Sequence, residues 1–123
     1  MTQTPFEFIQ ANCLDWMSKQ PEKSIQCIVT SPPYNLNIKY GQYKDNHEYT
    51  DYLNWIGSIA VAMNRVLADD GHIFLNVGYS NVQPWVAIDV AQMFRSKSWV
   101  LQNQITWVKH ILLNEQSYGL KIP

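Results

Sequence analysis

The run Gln26-Cys27-Ile28-Val29-Thr30, followed at once by Ser31-Pro32-Pro33-Tyr34-Asn35, constrains the fold more than any other stretch. Its first half is apolar and β-branched, the pattern of a buried strand. Its second half carries two consecutive prolines, which offer no backbone N–H and cannot continue a strand ladder. The strand therefore stops abruptly, and a stiff turn holds Ser31 and Tyr34 at a fixed separation. In an open α/β sheet, ligands bind just beyond the carboxyl ends of the strands. These two residues are thus expected in a crevice.

The rest of the chain reads as alternating helices and strands, which predicts an α/β fold. Phe6-Glu7-Phe8-Ile9 is expected to form a short first strand. A helix follows from about Ala11 to Met17, with Asn12 as its N-cap and Leu14 and Met17 facing inward. Beyond the Pro-Pro turn, Asn35 to Asn46 is a polar, aromatic loop of the kind that carries function in compact domains. From Glu48 to Leu67 the apolar residues Tyr49, Tyr52, Leu53, Ile56, Ala60, Met63 and Leu67 form one helical stripe, and Gly71 is expected to end that helix. His72 to Val77 reads as the next strand, Pro84 to Phe94 as a helix with Val86, Val90 and Met93 inward, and Trp99 to Lys109 as a last strand region.

Composition narrows the class. At 123 residues and 46% apolar content, the chain makes one domain at most, with enough material for a core. Nine Lys and Arg against ten Asp and Glu give a net charge of −1, so no basic surface announces a nucleic-acid partner. Cys13 and Cys27 make neither a disulfide framework nor a metal site, and Cys27 is expected to be a small core residue. No stretch reads as a leader peptide or a membrane span, which makes the cytoplasm the default compartment.

Thr30-Ser31-Pro32-Pro33-Tyr34-Asn35 resembles the catalytic motif of S-adenosyl-L-methionine-dependent DNA methyltransferases that modify exocyclic amino nitrogens. In those enzymes Asp, Asn or Ser precedes Pro-Pro and an aromatic residue. The chemistry accounts for these residue types. The lone pair of such an amine is delocalised into the base, and acceptors on its hydrogens help to localise it for an in-line displacement. An aromatic face then stacks on a base taken out of the duplex. An ordinary two-proline turn is the plain alternative. Methylation at cytosine carbon-5 uses a Pro-Cys nucleophile, which is absent here.

Two further segments carry the same resemblance: Lys39-Tyr40-Gly41-Gln42-Tyr43-Lys44-Asp45 and Ile105-Thr106-Trp107-Val108-Lys109. The resemblance implies catalytic roles for Ser31, Pro32, Pro33 and Tyr34, and contacts to the methyl donor at Asn12, Cys13 and Ser31. It further implies a base pocket and nucleic-acid contacts at Asn35, Lys39, Tyr40, Lys44, Trp107 and Lys109, with the segment Asn35 to Asn46 as a mobile flap. No metal is implied. The family's lead-in usually carries Gly-Asp where this chain has Ala11-Asn12, so helix capping is an equal reading of Asn12. Local packing is likewise an equal reading of the flap tyrosines.

The motif order matches the permuted class of these enzymes, in which the catalytic half precedes the cofactor half. No glycine-rich block follows Lys109. The expectation is therefore a single partial DNA methylase domain over residues 1–123, an incomplete Rossmann-like sheet lacking its cofactor half and target-recognition region. Such a chain would act on double-stranded DNA, with cytosine N4 favoured over adenine N6 as the acceptor because serine stands first in the motif. Alone it is expected to be inactive and to need a complementary half or a second copy. The alternative is a non-catalytic remnant or association module.

Overall fold

The computed structural model describes residues 5–108. Its elements follow one another as α1 (Cys13–Ser18), β1 (Ile25–Thr30), β2 (Lys39–Tyr40), β3 (Tyr43–Lys44), α2 (Tyr49–Val66), β4 (Leu67–Leu75) and α3 (Val86–Ser96). The mixture of helices with a parallel strand pair makes this an α/β arrangement.

α2 is the central support. Its buried residues Tyr52, Ile56, Ile59, Ala60, Met63 and Val66 recur at three- and four-residue intervals, so they share one face. Met17 of α1 and Val86, Val90 and Phe94 of α3 complete the core around it. Asn12 caps α1 as its residue type predicts, its Oδ1 accepting from the backbone N–H groups of Leu14 (2.9 Å) and Asp15 (3.3 Å). Arg65 closes the other end of α1 from α2, its Nη2 donating to the carbonyls of Met17 (2.5 Å) and Gln20 (2.8 Å). A cation at the C-terminal carbonyls of a helix is favourable both as a hydrogen bond and against the helix dipole.

β1 and β4 pair in parallel, with Cys27 opposite His72, Ile28 opposite Ile73 and Val29 opposite Phe74. One face of this pair, with Ile28, Ile73 and Leu75, packs against the core. The turn that connects α2 to β4 differs from expectation. The helix ends at Val66, its C-cap Leu67 is already extended, and the residues between Leu67 and His72 bulge out of register with β1. Gly71 lies inside this bulged strand and does not cap the helix. A Cβ there would stand 2.8 Å from the Gln26 carbonyl oxygen, so the residue is small because β1 passes close by.

Three other expectations fail. Phe6 to Ile9 forms no strand, and Phe8 is 91% exposed, because no neighbouring strand is present among the described residues to pair with it. Trp99 to Val108 likewise forms no strand. Cys27 is exposed, as is Val29, since nothing among the described residues covers the second face of β1 and β4. No helix of the described residues is long and apolar enough to cross a membrane.

Candidate active site

The site forms where β1 and β4 end side by side. The parallel ladder runs one step past both strands, with the Asn76 N–H donating to the Thr30 carbonyl at 2.9 Å. Ser31 and the two prolines then turn the chain, and Tyr34 folds back over the end of β4. Its hydroxyl lies 2.7 Å from Ser31 Oγ and donates to the Asn76 carbonyl at 3.2 Å. Its ring lies on Gly78, where a Cβ would stand 3.0 Å from Cε2 and 3.2 Å from Cδ2. Only glycine leaves the ring that seat without displacement. Ser31 is exposed and Tyr34 is half-buried, an arrangement open to an incoming ligand.

The turn is held from below by α2. Tyr52, 1% exposed, donates its hydroxyl to the Pro33 carbonyl at 2.6 Å. Burial pushes the Tyr52 phenol up, with smaller contributions from Tyr43 and Asp45, so it stays a neutral donor throughout the ordinary pH range.

The segment after Tyr34 is organised around one carboxylate. Asp45 is 2% exposed, and its oxygens accept from the backbone N–H groups of Asn35 (3.0 Å), Leu36 (2.9 Å) and Ile38 (3.0 Å). Convergent backbone donors of this kind satisfy a buried charge that would otherwise be costly. Asn35 and Asn37 lie in the left-handed backbone region, at φ 59° and 60°. Asparagine tolerates that region better than most residues. The Asn35 side chain exchanges two 2.8 Å hydrogen bonds with the backbone of His47. It thus pins the loop, and its amide is already engaged.

β2 and β3 form a small antiparallel hairpin within the segment that was expected to be a loop and a mobile flap. Lys39 stands directly opposite Lys44, and Tyr40 opposite Tyr43. Like charges facing each other across a hairpin cost stability. The pair makes a doubly cationic edge beside the site. Tyr43 packs on Trp55 and His47, with ring centroids 5.6 and 5.5 Å apart, and these residues line a shallow groove with Gln42 and Lys44. The Tyr43 hydroxyl is buried without a hydrogen-bond partner, and burial first, then Asp45, pushes its pKa up.

The expected site residues therefore divide. Ser31, Pro32, Pro33, Tyr34 and Asn35 come together at the strand ends, with Lys39, Tyr40 and Lys44 on the adjoining hairpin. Asn12 has its carbonyl oxygen committed to α1, which leaves its amide nitrogen and the exposed Cys13 thiol as what that end of the chain can offer a ligand. Trp107 is 76% exposed and in no strand, and Lys109 lies outside the described residues. No part in the site was expected of Asp45, Tyr52 or Gly78, although Asp45 ends a family-like segment and Tyr52 lies on the helical stripe. The aspartate three residues before the helix cap and the tyrosine in the first helical turn gave no local signal of their distant partners. Among the described residues no cluster of His, Cys, Asp and Glu could hold a metal.

Known proteins are similar to this chain. The DNA methylase family model of the N6/N4 type matches residues 25–121. The chain is 30% identical over 103 residues to the Type II methyltransferase M.MjaVI of Methanocaldococcus jannaschii, covering 80% of this chain and 53% of that protein. It is 35% identical over 94 residues to the Type II methyltransferase M.BglII of Bacillus subtilis, covering 72% and 25%. It is 28% identical over 102 residues to M1.MboII of Moraxella bovis, covering 81% and 36%. The chain thus spans about half the length of the first of these relatives and smaller shares of the others. Methyltransferases of this group draw their methyl group from S-adenosylmethionine. On the extent of the match and the motif at its centre, the chain belongs to the N6/N4 DNA methylase family.

Proposed function

We propose that this chain carries the base-binding and amine-activating part of a DNA methyltransferase of the restriction-modification type. Its acceptor is an exocyclic amino nitrogen, cytosine N4 in preference to adenine N6. The observation that carries this reading is the Ser31–Tyr34 pair at the end of β1, with a 2.7 Å bond between their hydroxyls and an aromatic face beside them.

In this reading Tyr34 stacks on a base removed from the duplex, and Ser31 Oγ accepts one of its amino hydrogens. The Pro32 carbonyl is the second acceptor, since the Pro33 carbonyl is already taken by Tyr52. With both hydrogens bonded, the nitrogen lone pair is drawn out of the ring system. The nitrogen would then take the methyl group in one in-line displacement, the carbon–sulfur bond breaking to leave a neutral thioether, and would shed a proton to water. Bound S-adenosylmethionine supplies that methyl group on a sulfonium centre. Among the described residues, Ser31, the Asn12 amide nitrogen and the Cys13 thiol are the groups that would meet it. Lys39 and Lys44 suit the phosphates flanking the target base, where two adjacent cations gain most.

The two parallel strands then belong to a larger methyltransferase sheet, and the exposed face of Val29 and Phe74 is covered when the remaining helices pack on it. The test is nucleoside mass spectrometry of DNA from cells expressing the native gene product. N4-methylcytosine is the expected product. N6-methyladenine alone would overturn the base assignment, and DNA carrying neither would overturn the enzyme reading.

A further inference from the structure

A serine hydroxyl can meet an amine in two ways, because it has one proton to give and two lone pairs to offer. Only the lone pairs help a nitrogen that must lose its hold on its own hydrogens. A serine whose proton pointed at the base would oppose the reaction. The site therefore needs something to take that proton, and the geometry at Tyr34 supplies it.

Ser31 Oγ and Tyr34 Oη are 2.7 Å apart, and Tyr34 Oη is 3.2 Å from the Asn76 carbonyl oxygen. A carbonyl only accepts, and Tyr34 has a single proton. If that proton goes to Asn76, the 2.7 Å bond must run from Ser31 to Tyr34. The reverse polarity has Tyr34 donating to Ser31. It leaves the Asn76 carbonyl without this donor and the serine proton without a partner.

The Tyr34–Asn76 contact, at 3.2 Å, is longer than an ideal O–H···O bond, and a phenol is by itself the better donor of the two hydroxyls. In water the two polarities are therefore close in energy. Once a base fills the site and excludes water, the count decides. The Ser31-to-Tyr34-to-Asn76 polarity satisfies every proton and leaves Ser31 free to accept from the amine. The reverse strands one proton in a desolvated site, which is the costlier arrangement.

We propose that the Tyr34 hydroxyl is a positioning group. It hands its proton to the Asn76 carbonyl, takes the proton of Ser31, and so holds Ser31 as an acceptor toward the amine. Tyr34 thus has two separable roles, one in its ring and one in its hydroxyl. The inference rests on the amine-methylation reading above.

The test is a double-mutant cycle on the native gene product, with methyl transfer to duplex DNA followed by turnover number and KM. Tyr34→Phe keeps the ring and is expected to lower kcat about tenfold or more, with KM for DNA and donor within about twofold. A carboxylate needs no such orientation, because it only accepts. In the Ser31→Asp background, Tyr34→Phe is therefore expected to change kcat by less than about twofold. An equal loss in both backgrounds would overturn the inference, as would a Tyr34→Phe enzyme with wild-type kcat. Should Ser31→Asp not turn over, the kcat and KM split of Tyr34→Phe alone decides. A wild-type protein that methylates no exocyclic amine would instead overturn the underlying reading, and this inference with it.

Discussion

Tyr52, in the first turn of α2, donates its hydroxyl to the Pro33 carbonyl 2.6 Å away, and this bond ties the Pro-Pro turn to the central helix. Prolines fix the shape of the turn but supply no N–H with which the sheet could hold it. The anchor has to come from another element, and a buried phenol on α2 provides it. Tyr52→Phe keeps the packing and removes the bond, so it should cost about 1 kcal/mol in chemical denaturation, plus a part of the turnover. Tyr52→Ala adds a cavity and should cost about 3–5 kcal/mol. A Tyr52→Phe protein as stable and active as the parent would show the bond to be incidental.

Asp45 holds Asn35, Leu36 and Ile38 by their backbone N–H groups, next to Tyr34. Asp45→Ala leaves three donors without a partner and should destabilise the protein by about 2–4 kcal/mol. Asp45→Asn keeps Oδ for two of them and presents an NH₂ group to the third, so a smaller loss is expected. Hydrogen exchange at residues 35–38 checks the assignment directly. Those amides should lose protection in Asp45→Ala before the amides of α2 do.

Tyr49 donates its hydroxyl to Asp89, joining α2 to α3 near the site. Burial first, and then this bond to Asp89, push the Tyr49 phenol from 10.0 up to about 12. The folded state therefore favours the neutral phenol. Its contribution to stability is whole below pH 10 and disappears as pH rises toward 12. Denaturation midpoints measured across this alkaline window should fall, and Tyr49→Phe should flatten that part of the profile. A variant with an unchanged slope would place the alkaline sensitivity elsewhere.

Val29 is 76% exposed and pairs with Phe74, 55% exposed, on the open face of the sheet. An apolar face beside an unpaired strand edge invites association. The 123-residue chain by itself is expected to self-associate in light scattering, and to bind S-adenosylmethionine only weakly in calorimetric titration. Replacing Val29 and Phe74 by lysine should shift it toward monomer. A monodisperse parent with micromolar donor affinity would contradict this view of the face.

The sequence made β1, its Pro-Pro stop, α2 and α3 legible because each rests on a local pattern: a β-branched run, a missing N–H, a 3.6-residue period. The site's supports were not legible, for a physical reason. Asp45, Tyr52 and Gly78 act on residues that the fold brings near, and nothing adjacent to them in the chain marks those partners. Phe6–Ile9 and Ile105–Val108 failed as strands for the complementary reason. Alternation describes a side-chain pattern, while a strand also needs a neighbour to bond. Cys27 read as core because its run is apolar, yet only one face of β1 is covered among the described residues.

If Ser31 acts on the amine in the transition state, its loss slows transfer without releasing the donor. Ser31→Ala in the native gene product, with single-turnover methyl transfer and donor affinity measured side by side, separates the two. The transfer rate is expected to fall about a hundredfold or more, with donor affinity changed less than about threefold. A Ser31→Ala enzyme that transfers methyl at the parent rate, or one that loses rate only in proportion to donor binding, would contradict that role for Ser31.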